Sequence, residues 1–367
     1  MTPTGRIWRI AGGIGAAVTT TAAAGAALAT RQRKRGTDSL ADEPLGDLKP
    51  DRYSTVAADD GTPLSVAEID PCSGTEPELT LVGVHGFALS KRSWHFQQRD
   101  LSELRIPALR QVFYDHRGHG QSGAATAEAS TIEQLAMDLD AVLRAVVPSG
   151  RVILVGHSMG GMVIMELARR HPELFTEGRV TGVALIATAA GQLASKGVPR
   201  GLLSKYNPLT RGVGGLAGWQ PGLVEFVRAA SGQLTRQAVR GLAFGSRDVS
   251  PRLVDFMLEM LAVTSVRDLT NFVDTLGTHN RYAALAQLGG TRVLVVGGDT
   301  DRLTPFAHCE AIVAELPDAE LVRVRGAGHM VHLEQPELVN SHLIDLVQRC
   351  GMVGGDETGR RGRWWRR

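Results

Sequence analysis

The stretch RVILVGHSMGGMVIMELARR, residues 151–170, decides the fold of this 367-residue chain. Four aliphatic residues precede the hexapeptide GHSMGG, and an amphipathic run follows it. A serine flanked by glycines is unfavourable in a buried strand, and three glycines are unfavourable at the start of a helix. Both features are explained if Ser158 stands on a tight turn between a strand and a helix, where the spacing G-x-S-x-G exposes its hydroxyl.

The rest of the chain alternates between apolar strands and helical patterns. Two β-like runs flank Asp60-Gly61, which is a hairpin signal. Apolar strands are then predicted at residues 79–86, 110–118, 151–158, 180–190, 292–298 and 319–326, with helical patterns between them and a closing helix at 334–350. Uniformly apolar strands separated by helices predict an α/β fold whose parallel sheet is covered on both faces.

Composition and pattern divide the chain into regions. Within the α/β domain the alternation breaks at about residues 191–285, which are helical or loop-like without a convincing strand. An insertion at this point, between two core strands, is interpreted as a cap over the carboxyl ends of the strands. The regions are a weakly hydrophobic N-terminal segment with a basic flank (1–35), a linker (36–50), the α/β domain (51–350) and a basic tail containing tryptophan (351–367).

The N-terminal segment is long enough to cross a bilayer but only weakly hydrophobic. Residues 10–30 are uncharged, and most of them are alanine, glycine or threonine. A weak membrane anchor, a signal peptide and a disordered arm are the alternatives. The basic cluster at 31–35 disfavours export because such charges stay on the cytoplasmic side. We therefore favour the anchor and expect a membrane-associated or cytoplasmic protein, with secretion less favoured.

The basic tail carries Trp364 and Trp365. Indole and guanidinium groups are favoured at anionic membrane surfaces, so the tail is either a membrane-surface contact or an unstructured terminus. Away from its two basic ends the chain is mildly acidic, which excludes a nucleic-acid partner.

Composition excludes several classes of protein. Hydrophobic residues make up 43% of the chain and charged residues 21%, values that exclude global disorder. Cys72, Cys309 and Cys350 form neither a disulfide framework nor a metal motif. His116 and His119 are three apart, but they lie in a glycine-bearing loop rather than on one face of a helix. We therefore expect no metal.

The serine hydroxyl needs a base and an orienting acid before it can act as a nucleophile. His329 lies in the loop GAGH directly after the last predicted strand, where a base is expected. Asp299 and Asp301 both follow the strand at 292–298. We favour Asp301, followed by a Leu-Thr-Pro turn, and interpret Asp299 as a residue that stabilises the turn.

The negative charge of a tetrahedral intermediate needs backbone N–H donors. The N–H of Met159 is the first candidate, because it begins the helix after Ser158. The second is the N–H of Phe87, which follows His85-Gly86 at the end of the strand LTLVGV.

With VGHSMGG, VHGF, YDHRGHGQSG, GGDTDRLTP and GAGHMVHLEQPE in this order, residues 51–350 resemble the α/β-hydrolase superfamily. The resemblance implies an α/β-hydrolase fold: a mostly parallel eight-stranded sheet, helices on both faces and a helical cap. It implies no cofactor and makes Arg117-Gly118-His119-Gly120 and Ser122 a structural loop. The site residues it implies are Ser158 as nucleophile, His329 as base, Asp301 as acid, and Phe87 and Met159 as oxyanion donors.

GHSMGG is similar to carboxylesterases, monoacylglycerol lipases, C–C bond hydrolases and cofactor-free perhydrolases. We expect a serine hydrolase that cleaves small carboxylic esters with an apolar acyl or aryl group. The alternatives are perhydrolase or haloperoxidase-like chemistry, C–C bond hydrolysis, and a non-catalytic protein of this fold that binds an apolar ligand. Cap residues that form either pocket walls or plain helix core are Leu223, Phe226, Phe256, Met257, Met260 and Leu261.

Overall fold

The computed structural model describes residues 38–193, 233–246 and 248–352. The chain divides into two units, Met1–Glu43 and Pro44–Arg367. In the first unit the described residues form turns, and the Ala41 N–H donates to the Asp38 carbonyl at 3.0 Å. No helix of the described ranges is long and apolar enough to span a bilayer. The predicted anchor at 1–35 and the tail from residue 353 lie outside those ranges.

The second unit is built on one eight-stranded sheet with the spatial order β1-β2-β4-β3-β5-β6-β7-β8. β2 is antiparallel to both of its neighbours, and all other neighbouring strands are parallel. The mostly parallel sheet predicted from the sequence is confirmed. The strands are β1 (Arg52–Ala57), β2 (Pro63–Ile69), β3 (Leu79–Val84), β4 (Leu109–Tyr114), β5 (Arg151–His157), β6 (Val180–Ile186), β7 (Arg292–Gly298) and β8 (Glu320–Val324).

The helices of the described residues cover both faces of this sheet. Along β5, Val152 and Leu154 pack into the core on one face, whereas Ile153 and Val155 pack into the core on the other. Strand side chains alternate between faces, so an apolar strand can supply two cores at once. The helices are α1 (His95–Leu101), α2 (Ile132–Val146), α3 (Met159–Arg170), α4 (Glu173–Thr176), α5 (Gln233–Ala243), α6 (Pro251–Val263), α7 (Val266–Thr278), α8 (Ala307–Glu315), α9 (Val331–Glu334) and α10 (Pro336–Gly351), with 3₁₀ turns at Lys91–Trp94 and Tyr282–Leu288.

β6 is shorter than the strand predicted at 180–190. It ends at Ile186 because Ala187 adopts φ +45°, a left-handed conformation that a strand cannot continue through. The turn that follows aims Thr188 at the start of α3, where its hydroxyl donates to the Ser158 carbonyl at 2.6 Å. The early end of β6 therefore helps to build the site.

The insertion predicted at 191–285 is helical where it is described, in α5, α6 and α7. Its two ends meet, because Gly191 pairs with Asn280 in an isolated antiparallel bridge. The Arg281 N–H also donates to the Ala190 carbonyl at 2.6 Å. That the insertion caps a pocket stays a prediction.

The candidate pocket residues of the insertion have mixed outcomes. Leu223 and Phe226 lie outside the described residues. Phe256 is buried, with the Arg92 guanidinium 5.3 Å above its ring, and Met260 is also buried, so these two belong to the core around α6. Met257 is partly exposed, and Leu261 packs beside Ala88, close to the predicted site.

Candidate active site

Ser158 lies at the junction of β5 and α3 in a strained conformation, with φ +52° and ψ −116°. A side chain at positive φ persists only where its surroundings hold it. The Ser158 N–H donates to the Ile186 carbonyl at 2.9 Å, and the Ser158 carbonyl accepts from the Gly161 N–H at 3.0 Å and the Thr188 hydroxyl at 2.6 Å. These bonds keep the turn sharp and leave the serine side chain partly exposed.

The glycines around Ser158 are required by close backbone contacts. A Cβ on Gly160 would lie 1.9 Å from the Val84 carbonyl oxygen, and one on Gly156 would lie 2.6 Å from the Gly161 nitrogen. Real side chains do not approach backbone atoms this closely. The first turn of α3 can therefore lie against the ends of β3 and β5 only because these positions are glycine.

The structure brings Ser158, His329 and Asp301 into one hydrogen-bonded chain. Ser158 Oγ is 2.9 Å from His329 Nε2, and His329 Nδ1 is 2.9 Å from Asp301 Oδ2. We assign the Nδ1 proton to the bond with Asp301, because a carboxylate can only accept there. Nε2 is then free to accept the serine proton, which is the arrangement that activates a serine nucleophile.

Asp301 is held as a buried carboxylate. Its Oδ1 accepts the N–H groups of Leu303 at 2.8 Å and Thr304 at 2.9 Å, and its Oδ2 lies 2.8 Å from the Thr304 hydroxyl. Burial by itself would raise the pKa of Asp301, but the His329 imidazole and the bonds from Thr304 outweigh it and keep that pKa below its usual value. Asp299, the competing residue, accepts the Gly326 N–H at 2.7 Å instead and stabilises the turn after β8.

Phe87 and Met159, the predicted oxyanion donors, both adjoin residues at the serine turn. A Cβ on Gly86 would be 3.2 Å from Ser158 Cβ, so the Phe87 amide is the next group along a chain that touches the serine. Met159 is the first residue of α3, and a first helical N–H has no partner within its helix. Across the described ranges, neither N–H donates to a backbone carbonyl. Their role as oxyanion donors stays a prediction.

His157 supports the loop that carries His329. Its ring Nε2 is 2.9 Å from the His329 carbonyl oxygen, to which it donates. Burial, together with the neighbouring His332 and His329, holds the pKa of His157 well below its usual value, so the ring is neutral. The residue before the serine thus holds the backbone of the histidine.

A buried histidine pair, His85 and His116, is hydrogen-bonded at the Gly86-Phe87 turn. The His116 N–H donates to His85 Nε2 at 3.0 Å, and His85 Nδ1 donates to the Gly86 carbonyl at 2.8 Å. Burial holds the pKa of both rings well below the usual value, so both are neutral. In the part of the chain that the structure describes, no group of three His, Cys, Asp or Glu residues is placed to hold a metal ion.

Sequence reasoning missed Thr304 and Thr188. The Thr304 hydroxyl lies within 3.2 Å of His329 Nδ1, as well as beside Asp301. The sequence signal for Thr304 is its place in the Leu-Thr-Pro turn after Asp301, and that turn does not show which groups the hydroxyl contacts. Thr188 carried no signal, because its contact with Ser158 depends on the turn that ends β6.

Arg117 has a structural place in the neighbouring loop. Its buried guanidinium forms two bonds of 2.6 Å with the Asp138 carboxylate in α2 and also contacts Asp60 in the β1–β2 turn at 2.7 Å. The Arg117 guanidinium therefore joins its own loop to α2 and to the β1–β2 turn. It has a structural role and makes no contact with Ser158.

Comparison with known proteins places this geometry in context. A family model described as "Alpha/beta hydrolase family" matches residues 81–342. The chain is 28% identical over 281 residues to the dihydrolipoyllysine-residue acetyltransferase component of an acetoin cleaving system from Pseudomonas putida. That match covers 75% of this chain and 65% of the relative's length.

Solved structures with the same fold have low sequence identity to this chain. A thermophilic esterase from Thermogutta terrifontis has a TM-score of 0.62 at 21% identity, over 82% of this chain and 99% of its own. The enol-lactonase from Burkholderia xenovorans LB400 has a TM-score of 0.61 at 21% identity, over 81% and 99%. These likenesses show the fold alone.

Proposed function

The chain belongs to the alpha/beta hydrolase family, and from that premise we propose that it is a serine hydrolase acting on carboxylic esters. The observation that carries the proposal is the pair of 2.9 Å contacts that link Ser158 to His329 and His329 to Asp301. Members of one fold differ in chemistry, so the fold alone does not determine the reaction, and the residues of the site do.

Each residue of the site has a role in the proposed reaction. Ser158 Oγ attacks the ester carbonyl while His329 Nε2 takes its proton, and the N–H groups of Phe87 and Met159 stabilise the oxyanion. The protonated His329 then donates its proton to the leaving alcohol, which leaves an acyl group on Ser158. His329 next takes a proton from water as the water attacks the acyl group, and it returns that proton to Ser158 Oγ when the acid is released. Asp301 stabilises the imidazolium, because its lowered pKa keeps it ionised at neutral pH.

An apolar acyl or aryl group is the proposed substrate feature. Ala88, Leu261 and Leu269 form an apolar cluster, against which Phe87 and Leu258 pack. Phe87 also carries the predicted oxyanion N–H, so this cluster lies directly beside the place where the ester carbonyl would bind. Burial of an apolar group there would be favourable because it removes hydrocarbon surface from water.

Ester hydrolysis can be tested with p-nitrophenyl esters from acetate to palmitate. Wild type should hydrolyse them, and Ser158→Ala should lose at least about 10³-fold in kcat, because the nucleophile is removed. Ser73→Ala, at an exposed loop position, is the matched control and should keep full activity. A wild type that neither hydrolyses any ester nor is labelled at Ser158 by a fluorophosphonate would contradict the proposal.

We also propose that the protein contacts membranes through residues 1–35 and the basic tail, on the sequence arguments given above. Deleting residues 1–35 should reduce recovery of the protein in the membrane fraction. Unchanged recovery would rule out the anchor.

A further inference from the structure

One carboxylate outside the triad, Glu334, binds the loop that carries His329. Glu334 lies at the end of α9, and its Oε1 accepts the Gly328 N–H at 2.7 Å. Its Oε2 accepts the N–H groups of Gly245 at 2.8 Å and Ser246 at 3.4 Å, in the segment that follows α5. The two oxygens therefore hold two different segments of chain.

The segments that meet at Glu334 are packed backbone against backbone. A Cβ on Gly328 would lie 2.4 Å from the Gly245 nitrogen, and one on Gly298 would lie 2.2 Å from the Ala327 carbonyl oxygen. The Met330 N–H also donates to the Ala243 carbonyl at 3.0 Å. The histidine loop is thus enclosed between the end of β7 and the end of α5.

The carboxylate of Glu334 is stabilised by amides rather than by a cation. The pKa of Glu334 is raised, because burial and the charge of Asp301 outweigh the bonds from the N–H groups of Gly245, Gly328 and Ser246. Among the described residues no basic side chain forms an ion pair with it. The bonds from Gly328 at 2.7 Å and Gly245 at 2.8 Å are at the short end of the range for N–H···O bonds, so this carboxyl group is a stiff attachment point for both segments.

We propose that Glu334 is a positioning residue for the base, which fixes His329 above Ser158 and ties the inserted helices to the same loop. This inference rests on the proposed function. Gly328 immediately precedes His329, so the bond from Oε1 fixes the backbone on one side, while His157 holds the His329 carbonyl on the other. A loop that contains glycines on its N-terminal side has little stiffness of its own.

The proposal is tested with Glu334→Gln, which keeps the side-chain volume but replaces one acceptor oxygen with an NH₂ donor. Either the Gly328 N–H, or the N–H groups of Gly245 and Ser246, then face a donor, and we expect kcat for p-nitrophenyl acetate to fall about tenfold to a hundredfold. KM should change less than threefold, because an acetyl group reaches little of the insertion. Glu337→Gln, at an exposed position three residues on, is the matched control and should behave as wild type.

A second readout separates positioning from simple stability. The proton on His329 Nδ1, bonded to Asp301, should give a downfield NMR resonance that shifts or broadens in Glu334→Gln and is unchanged in Glu337→Gln. A Glu334→Gln protein with kcat within twofold of wild type and an unchanged resonance would overturn the inference. If the wild type itself is inactive on every ester, the proposed function fails instead, so the two failures are distinguishable.

A measurement on the wild type covers the case in which Glu334→Gln does not fold. The Gly328 amide proton should exchange with solvent much more slowly than that of Gly150, which is exposed. Equal exchange rates at the two positions would show that the Glu334 bond does not hold the histidine loop, and would overturn the inference without any activity assay.

Discussion

Replacing Gly160 with alanine tests the backbone geometry that places the serine beside its oxyanion donors. The new Cβ would lie 1.9 Å from the Val84 carbonyl oxygen and 2.9 Å from that of His85, whereas real Cβ contacts under 3.0 Å are essentially never seen. Both atoms belong to backbone and cannot rotate away. The start of α3 and the end of β3 must therefore separate by about 1 Å.

The separation has consequences for both activity and stability. Phe87 follows His85 by two residues, so its N–H moves relative to Ser158 when β3 is displaced. A misplacement of about 1 Å at a reacting centre lowers the rate about a hundredfold. Overpacking of this kind also lowers the free energy of unfolding by about 1–3 kcal/mol.

The assay compares kcat/KM for p-nitrophenyl acetate with the free energy of unfolding from urea titration. Gly241→Ala is the control, since its Cβ would meet nothing within 4 Å in α5. There the change should keep full activity and stabilise the helix by up to about 1 kcal/mol. A Gly160→Ala protein with activity within threefold of wild type and unchanged stability would refute the close approach of α3 to β3.

Three other changes have expected outcomes. Asp301→Asn should lower kcat about 10⁴-fold with the fold retained, because the amide favours the wrong tautomer of His329. A near-normal kcat would argue against Asp301 as the acid that orients His329. Burial and the neighbouring His329 lower the pKa of His332 to about 3 from 6.5, so the free energy of unfolding should fall as pH drops below 6.5, by up to about 1.4 kcal/mol per pH unit. In His332→Leu the free energy of unfolding, measured by urea titration, should fall less steeply with pH. Equal slopes for the two proteins would exclude a neutral buried ring. Arg117→Ala leaves the buried Asp138 carboxylate without its guanidinium partner and should lower the free energy of unfolding by about 3–5 kcal/mol. The control Arg144→Ala, at an exposed ion pair, should lower it by less than about 1 kcal/mol. Equal losses would contradict a buried ion pair between Arg117 and Asp138.

Much of the fold could be predicted from local patterns. The apolar runs, the hairpin signal at Asp60-Gly61 and the helical patterns between the strands each depend on residues close together in sequence, and the confirmed sheet followed from their order. The glycines around Ser158 were equally informative. Because the turn leaves no room for a Cβ at these positions, the sequence must have glycine there, and the spacing G-x-S-x-G can be recognised. The strand β6 was predicted to continue past Ile186, because nothing in an apolar run shows where a single residue adopts a left-handed conformation.

The sequence by itself determined the order of strands and helices, the turn at Ser158 and a short list of partners for it, because periodicity and glycine spacing are local properties. The sequence favoured Asp301 over Asp299, but only the tertiary structure shows the contacts, because the path of the loop puts Asp301 Oδ2 2.9 Å from His329 Nδ1 and Asp299 Oδ1 against the Gly326 N–H. It alone brought in Thr304 and Glu334, whose contacts join segments that are distant along the chain. The physical reason is that parallel strands end at one edge of the sheet, so loops separated by up to 171 residues meet there within hydrogen-bonding distance.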